Sequence, residues 1–313
     1  MDWSEYTISD VKEHLSKLDI NEITDKLLIS LNKDSRVGVQ NLAAKYKRLL
    51  NAKKNRIEKW KKMSQNAVDL QDRGYQLVAG IDEAGRGPLA GPVVASAVIL
   101  DLNKPIYGLD DSKKLSEKKR EELYKVIMED AIAVGIGIIN NNIIDQINIL
   151  QATFKAMESA IEDLSETPDY VLVDGNMKIP NIKHRQDCIV DGDCFINSIA
   201  AASIIAKVTR DRIIDDYHND YPHYGFNRNK GYGTSEHIQA LKEHGTTPIH
   251  RFSFSIVNRY HFTHFENHIK QARSEDELKE LGQLIAKRGL FSEDNLNKLR
   301  ELYQDQFRNI NKS

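Results

Sequence analysis

Two adjacent carboxylates, Asp82 and Glu83, stand at the end of the apolar run Leu77, Val78, Ala79 and Ile81, and a glycine-rich turn carrying Arg86 follows at once. The run reads as a short buried strand. An ionised carboxylate at the mouth of a core is costly unless it is paired or bound to a metal. Oxygen ligands of this kind suit Mg²⁺ or Mn²⁺, hard cations that keep waters for a substrate phosphate to displace. For Asp82 alone, an N-cap acid in a strand-to-helix turn is the alternative. Two more acids sit in comparable places: Asp169-Tyr-Val-Leu-Val-Asp174-Gly175 is an apolar run ending in Asp-Gly, and Cys188-Ile-Val-Asp191-Gly-Asp193 repeats it before a long helical segment. Asp-Gly is also a common turn dipeptide. If the strands are neighbours in one sheet, however, Asp82, Glu83, Asp174 and Asp193 converge at one edge, where four carboxylates do not all stay ionised without cations. Two divalent ions about 3.5–4 Å apart are the known arrangement for in-line phosphoryl chemistry, one activating water and the other stabilising the leaving oxygen.

The elements that would hold these acids lie between residues 73 and 260. Val93 to Leu100 is a continuous β-branched run, Ser116 opens a helix to about Asp130, and Ile132 to Ile139 is another apolar strand. Helices around 142–164 follow, then the strand ending at Asp174, one near 188–190, and a helix from about Asn197 to Tyr217. Such alternation predicts an α/β fold, a mixed or parallel sheet with helices on its faces and the active edge where strands end.

Residues 1–72 read as a helical extension in which Leu42, Tyr46, Leu49, Ile57 and Trp60 recur at helical spacing. Lys45 to Lys62 holds nine Lys or Arg against the single acid Glu58; such a run is either a solvated face or a surface for phosphates. Residues 261–313 read as a second helical extension, with helix starts at Ser274-Glu-Asp-Glu277 and Ser292-Glu-Asp-Asn295 and with Gly289 ending the first. His261, His264 and His268 share a helical face there, yet no Cys or carboxylate completes a zinc set.

The 313 residues carry a net charge of −2, so the total charge identifies no partner. Only Cys188 and Cys194 are present, which excludes a disulfide framework and predicts reduced, partly buried thiols. No apolar stretch is long enough to span a membrane, and the N-terminus MDWSEYTISD is polar and acidic. A soluble, cytoplasmic protein, monomeric and away from membranes, is expected.

The central region resembles bacterial ribonuclease HII, the type 2 ribonuclease H. The matching segments are GIDEAGRGPLAGPVV at 80–94, DDSKKLSEKKR at 110–120, YVLVDG at 170–175, SIAAASIIAKVTRD at 198–211 and YPHYGFNRNKGYGTSEH at 221–237, in order between about Val78 and Phe254. The resemblance implies a ribonuclease H-like mixed sheet flanked by helices. It also implies a Mn²⁺- or Mg²⁺-dependent endoribonuclease that cuts the RNA strand of RNA–DNA hybrids and the 5′ side of ribonucleotides embedded in duplex DNA, leaving a 5′-phosphate and a 3′-hydroxyl.

By the same resemblance, Asp82, Glu83 and Asp174 bind the metal and Asp193 is the fourth acid. The Gly85-Arg86-Gly87 turn reads the ribose 2′-hydroxyl, the group that separates RNA from DNA. Tyr232 stacks on the nucleotide after the ribonucleotide, and Lys113, Lys114, Lys207 and Arg210 are candidates for phosphate contacts. The turn is not a dinucleotide loop, because Pro88 and the spacing depart from that fingerprint. Two features differ from the family. Asp191-Gly192-Asp193 stands where relatives often carry Lys-Gly-Asp, and the C-terminal extension is longer than expected. An inactive hybrid-binding protein would have lost one of the four acids, and all four are present; a ribonuclease HIII would carry a β-rich N-terminal domain in place of a helical one.

Overall fold

The computed structural model describes residues 3–288 and 291–311. Three helices come first: α1 (Ile8–Lys17), α2 (Asp25–Asn32) and α3 (Val37–Asp72). Thr7 and Thr24 cap the first two, and Val11, Leu15, Leu28, Leu31, Val39 and Ala43 close a small core among them. The 36 residues of α3 make it ~54 Å long at 1.5 Å per residue. Its first half belongs to that core, and Trp60 and Met63 in its second half belong to the core of the central sheet. Leu49, expected on the apolar face, lies between these two cores and is 45% exposed.

The sheet follows. Its elements are β1 (Val78–Ala84), β2 (Val93–Ile99), α4 (Glu117–Asp130), β3 (Ala133–Ile139), α5 (Asn141–Glu162), β4 (Tyr170–Asp174) and β5 (Arg185–Ile189). The strand order is β3-β2-β1-β4-β5, antiparallel from β1 to β3 and parallel from β1 through β4 to β5. This is the mixed, helix-flanked α/β sheet expected from the sequence. β1 does not stop at Ile81. It pairs through Asp82 and Glu83 with Ser96 and Ala95 of β2, so the two acids lie inside the strand. The helical stretch expected around 142–164 breaks at Asn148, whose φ is 67° and whose side chain accepts the Gln151 N–H and so caps the second half.

Beyond β5 come α6 (Gly192–Phe195), α7 (Asn197–Asp220), α8 (Phe226–Asn229) and α9 (Ser235–His244). α7 lies on one face of the sheet and α5 on the other, each through small and branched side chains such as Ala200, Ala201 and Ile204, or Ala152, Ala156 and Ala160. At Gly80 of β1 a Cβ would stand 2.2 Å from the Ser198 carbonyl carbon, so only glycine lets the start of α7 come down beside the acids.

The last helices are α10 (Ser255–Gln271), α11 (Glu275–Arg288) and α12 (Glu293–Ile310). α10 begins before residue 261, the expected start of the helical extension, because Val257 is buried in the cluster with Phe226 and Leu241. Ser274 caps Glu277, whose carboxylate takes the Arg273 N–H. Gly289, expected to end that helix, lies outside the described residues. No helix among the described residues is long and apolar enough to cross a membrane.

Candidate active site

The register explains how distant acids meet. Ile81 of β1 is paired with Val173 of β4, so Asp82 and Asp174 each stand one residue further along parallel neighbours and share a face. Asp174 in turn pairs with Ile189, and the chain beyond it turns through Asp191 into α6, which carries Asp193. Asp191 itself is in the left-handed conformation with φ 54°, the turn role open to it from the sequence.

Asp82 is 6% exposed and accepts the Glu83 N–H at 2.7 Å. Burial pushes its carboxyl well above the usual range, and the nearby Glu83 and Asp174 push it further, against a hydrogen bond from Ser203. Burial also raises Asp174, helped by Glu83. The Gly192 N–H, 2.7 Å away, and Lys113 oppose this. Asp193 is raised first by burial and then by Asp111 and Asp174, with Lys113 again opposing. Glu83 meets Arg86 at 3.2 Å. Lys113 is the cation these acids share: burial pulls its ammonium down, but Asp111, Asp193, Asp82 and Asp174 together hold it above its ordinary value.

The four acids therefore feel one another while one lysine serves most of them. As the side chains stand, no three His, Cys, Asp or Glu among the described residues are closed into a ligand set. The donor chemistry nonetheless fits hard divalent cations: all-oxygen, anionic, buried and under-compensated.

The glycine-rich turn lies beside the acids and is held from within. Gly85 has φ +96°, and a Cβ there would stand 2.1 Å from Arg210 Nε, so its glycine serves the fold itself. Arg86 and Gly87 are exposed. A Cβ on Gly87 would come within 3.5 Å of Tyr232 Cε1, which brings the turn and the half-exposed tyrosine ring side by side. Two buried arginines hold this arrangement. Arg251 donates through Nε to Gly91, through Nη1 to Arg86 and Pro88, and through Nη2 to Gly85 and Pro92, all carbonyl oxygens. Arg210 donates to the carbonyls of Pro92, Lys230 and Ala90.

That overturns one expectation. Arg210 is 1% exposed and joins the 85–92 turn to the loop before Tyr232, so it has no free edge for phosphate. Among the other basic residues, Lys207 is part-buried and paired with Asp211 at 2.7 Å. Lys114 is exposed and lies 3.2 Å from Cys194 Sγ. The preceding Asp110 is paired with Lys59 of α3 at 2.6 Å. The two thiols are free and half-buried. His261 is buried against Phe252 and bonded to Thr246, while His264 and His268 lie ring to ring, 4.0 Å apart.

Sequence reasoning missed Asp111 as a neighbour of Asp193 and missed Arg251 altogether. Asp111 stands two residues before Lys113, a signal that could have been read. An arginine 160 residues from the carbonyl it serves leaves no such signal.

Several known proteins are similar to this chain. The pattern of the family described as ribonuclease HII matches residues 79–262, and that of the ribonuclease HII N-terminal domain matches residues 7–67. The chain is similar to ribonuclease HII of Enterococcus faecalis, with 50% identity over 251 residues, 80% of this chain and 97% of the relative. It is 48% identical to ribonuclease HII of Bacillus subtilis over 254 residues, 81% of this chain and 98% of the relative. Among solved structures, ribonuclease H2 of Pyrococcus horikoshii matches with a TM-score of 0.50 and 25% identity, over 59% of this chain and 96% of that one.

Proposed function

The chain belongs to the ribonuclease HII family and is a ribonuclease H acting on RNA–DNA hybrids, and we propose that it also incises duplex DNA on the 5′ side of an embedded ribonucleotide. The observation that carries this reading is the juxtaposition of the exposed Arg86-Gly87 turn, the half-exposed Tyr232 ring and the four-acid edge. Such a surface meets a 2′-hydroxyl, the following nucleotide and the scissile phosphate together.

Asp82, Glu83 and Asp174 would hold Mg²⁺ or Mn²⁺, and Asp193 would complete the acid set. Bound divalent ions, two in the reading favoured here, supply activation of water near neutral pH and a counter-charge for the phosphorane-like transition state. The protein's own groups do the rest. With the carbonyls of Gly85, Arg86 and Pro88 engaged by Arg251, the N–H groups of the exposed turn residues are the ones that meet the ribose hydroxyl. DNA lacks that oxygen and is passed over. Tyr232 offers a flat ring to the next sugar or base. Lys113 tempers the negative field so that a phosphate approaches a site otherwise dominated by carboxylates. The products are a 5′-phosphate and a 3′-hydroxyl.

The test is gel-resolved cleavage of a labelled duplex holding one ribonucleotide, with Mg²⁺, Mn²⁺ or EDTA, beside an all-DNA duplex and an RNA–DNA hybrid. A metal-dependent cut 5′ of the ribonucleotide, with all-DNA intact, is the expected result. Cleavage of the hybrid alone would remove the ribonucleotide-incision reading.

A further inference from the structure

Beneath the Tyr232 loop lie two fully buried histidines, His237 at the start of α9 and His250 in the segment before α10. Their Nε2 atoms are 3.0 Å apart. The surroundings dictate which nitrogens carry protons. The Thr247 N–H points at His250 Nδ1 at 2.9 Å, so that nitrogen is an acceptor and the ring's single proton sits on Nε2. His250 Nε2 then donates to His237 Nε2, which leaves His237 Nδ1 as a donor, and its partner is the Tyr232 carbonyl at 3.0 Å. The chain of hydrogen bonds runs one way, from Thr247 through both rings to the backbone of Tyr232. Burial keeps both imidazoles neutral, with His250 pushed down to about 3.

The residue after His250 is Arg251, whose five donors grip the Gly85–Pro92 turn. One dipeptide therefore holds both recognition elements: Arg251 the turn, and His250, through His237, the tyrosine loop. We propose that His237 and His250 are positioning residues that fix Tyr232 against the Gly85-Arg86-Gly87 turn and thereby set the preference for a ribonucleotide followed by DNA. This rests on the reading of Tyr232 and the turn given above. If the relay fails, the carbonyl of Tyr232 keeps the Thr234 N–H at 2.8 Å but loses its side-chain donor, and the spacing between ring and turn loosens. The acids are untouched, so cleavage of a long hybrid, whose register offers many positions, suffers less.

Two substitutions separate the ends of the relay. In His237→Asn the side-chain amide sits where Nδ1 was and still donates to Tyr232, while the bond to His250 is lost. In His237→Gln the amide oxygen reaches the Nε2 position and still accepts from His250, while the donor to Tyr232 is lost. KM and kcat are measured for both variants on the single-ribonucleotide duplex and on a long hybrid. We expect His237→Gln to raise KM on the junction substrate about tenfold, the loss of one ordinary hydrogen bond, with kcat and hybrid cleavage within about twofold of the parent. His237→Asn should keep the parent's preference.

Equal losses on both substrates, or a greater loss of preference in His237→Asn, would overturn the relay. Nitrogen-15 spectra of the histidine-labelled parent give a readout independent of cleavage: protons on His237 Nδ1 and His250 Nε2 support it, and any other tautomer pair sinks it. A parent that leaves the single ribonucleotide uncut would be a failure of the proposed function, and the preference would fall with it. A parent that cuts while the variants keep its preference would be a failure of the relay alone.

Discussion

The acid edge and the glycine-rich turn that follows β1 solve the problem of buried charge in opposite ways. Arg210 and Arg251 are buried cations, pulled down by burial to about 10 and about 9 and still charged at neutral pH. Carbonyl oxygens receive all five donors of Arg251. Asp82 and Asp193 are buried and Asp174 half-buried, with few donors and one shared lysine; desolvation first, and then one another's charge, raises their carboxyls. A saturated network is rigid, which suits a surface that measures a sugar. An unsaturated one stores repulsion that a cation relieves, which suits a metal site.

The contrast is broken most severely at its acidic end. Asp82→Asn should lower hybrid cleavage by on the order of a thousandfold or more, because the amide keeps the shape and loses the charge that binds the ion. The same variant should melt no lower than the parent, since it removes a buried repulsive charge; a large drop in Tm would mean that Asp82 supports the fold. At the saturated end, Arg251→Met should do the reverse. Five carbonyls each lose a donor, Pro92 keeping that of Arg210, so we expect destabilisation by ~3 kcal/mol or more, read from denaturant midpoints. A neutral outcome would show that the turn holds itself.

Titration sharpens the same comparison with a smaller effect. The folded state raises Asp82, Asp174 and Asp193, so it keeps protons that the unfolded chain has already released above the ordinary value of 3.8. Stability should therefore fall as pH rises from that value through the raised ones, and Asp82→Asn should flatten the slope. Above this window, Mn²⁺ or Mg²⁺ at 100 times its Kd should return about 2.7 kcal/mol, seen as a rise in Tm that EDTA reverses. The smallest effect belongs to the exposed ring. Tyr232→Ala should leave Tm unchanged and lower junction cleavage about tenfold, with less effect inside a long hybrid, as expected for the loss of one stacking platform. Equal losses on the two substrates would remove its junction role.

Much of this was legible in the chain. The apolar runs ending in Asp82 and Asp174, the β-branched Val93–Ile99 and the capping residues Ser116 and Ser292 are local signals, and the structure uses them as local signals. The strand's continuation through Asp82 and Glu83 was not legible, because pairing with Ser96 and Ala95 overrides the break that two acids suggest. Helices were expected around 142–164, but the position of the break in α5 was not legible: it falls at Asn148, where an asparagine side chain re-caps the helix at a left-handed residue. Arg210 misled for a related reason: a charge on a helix reads as exposed until the helix is seen to face carbonyls.

By itself the sequence determined the acids, the glycine turn, the tyrosine and the alternation of strand and helix, since each is written in residue types a few positions apart. The tertiary structure decided which charges are left wanting and which are satisfied. Whether a carboxylate or a guanidinium finds partners depends on backbone atoms brought from as far as 166 residues away. Asp82 remains short of donors because parallel strands set it beside Asp174, while Arg251 is saturated because the turn wraps its carbonyls around it.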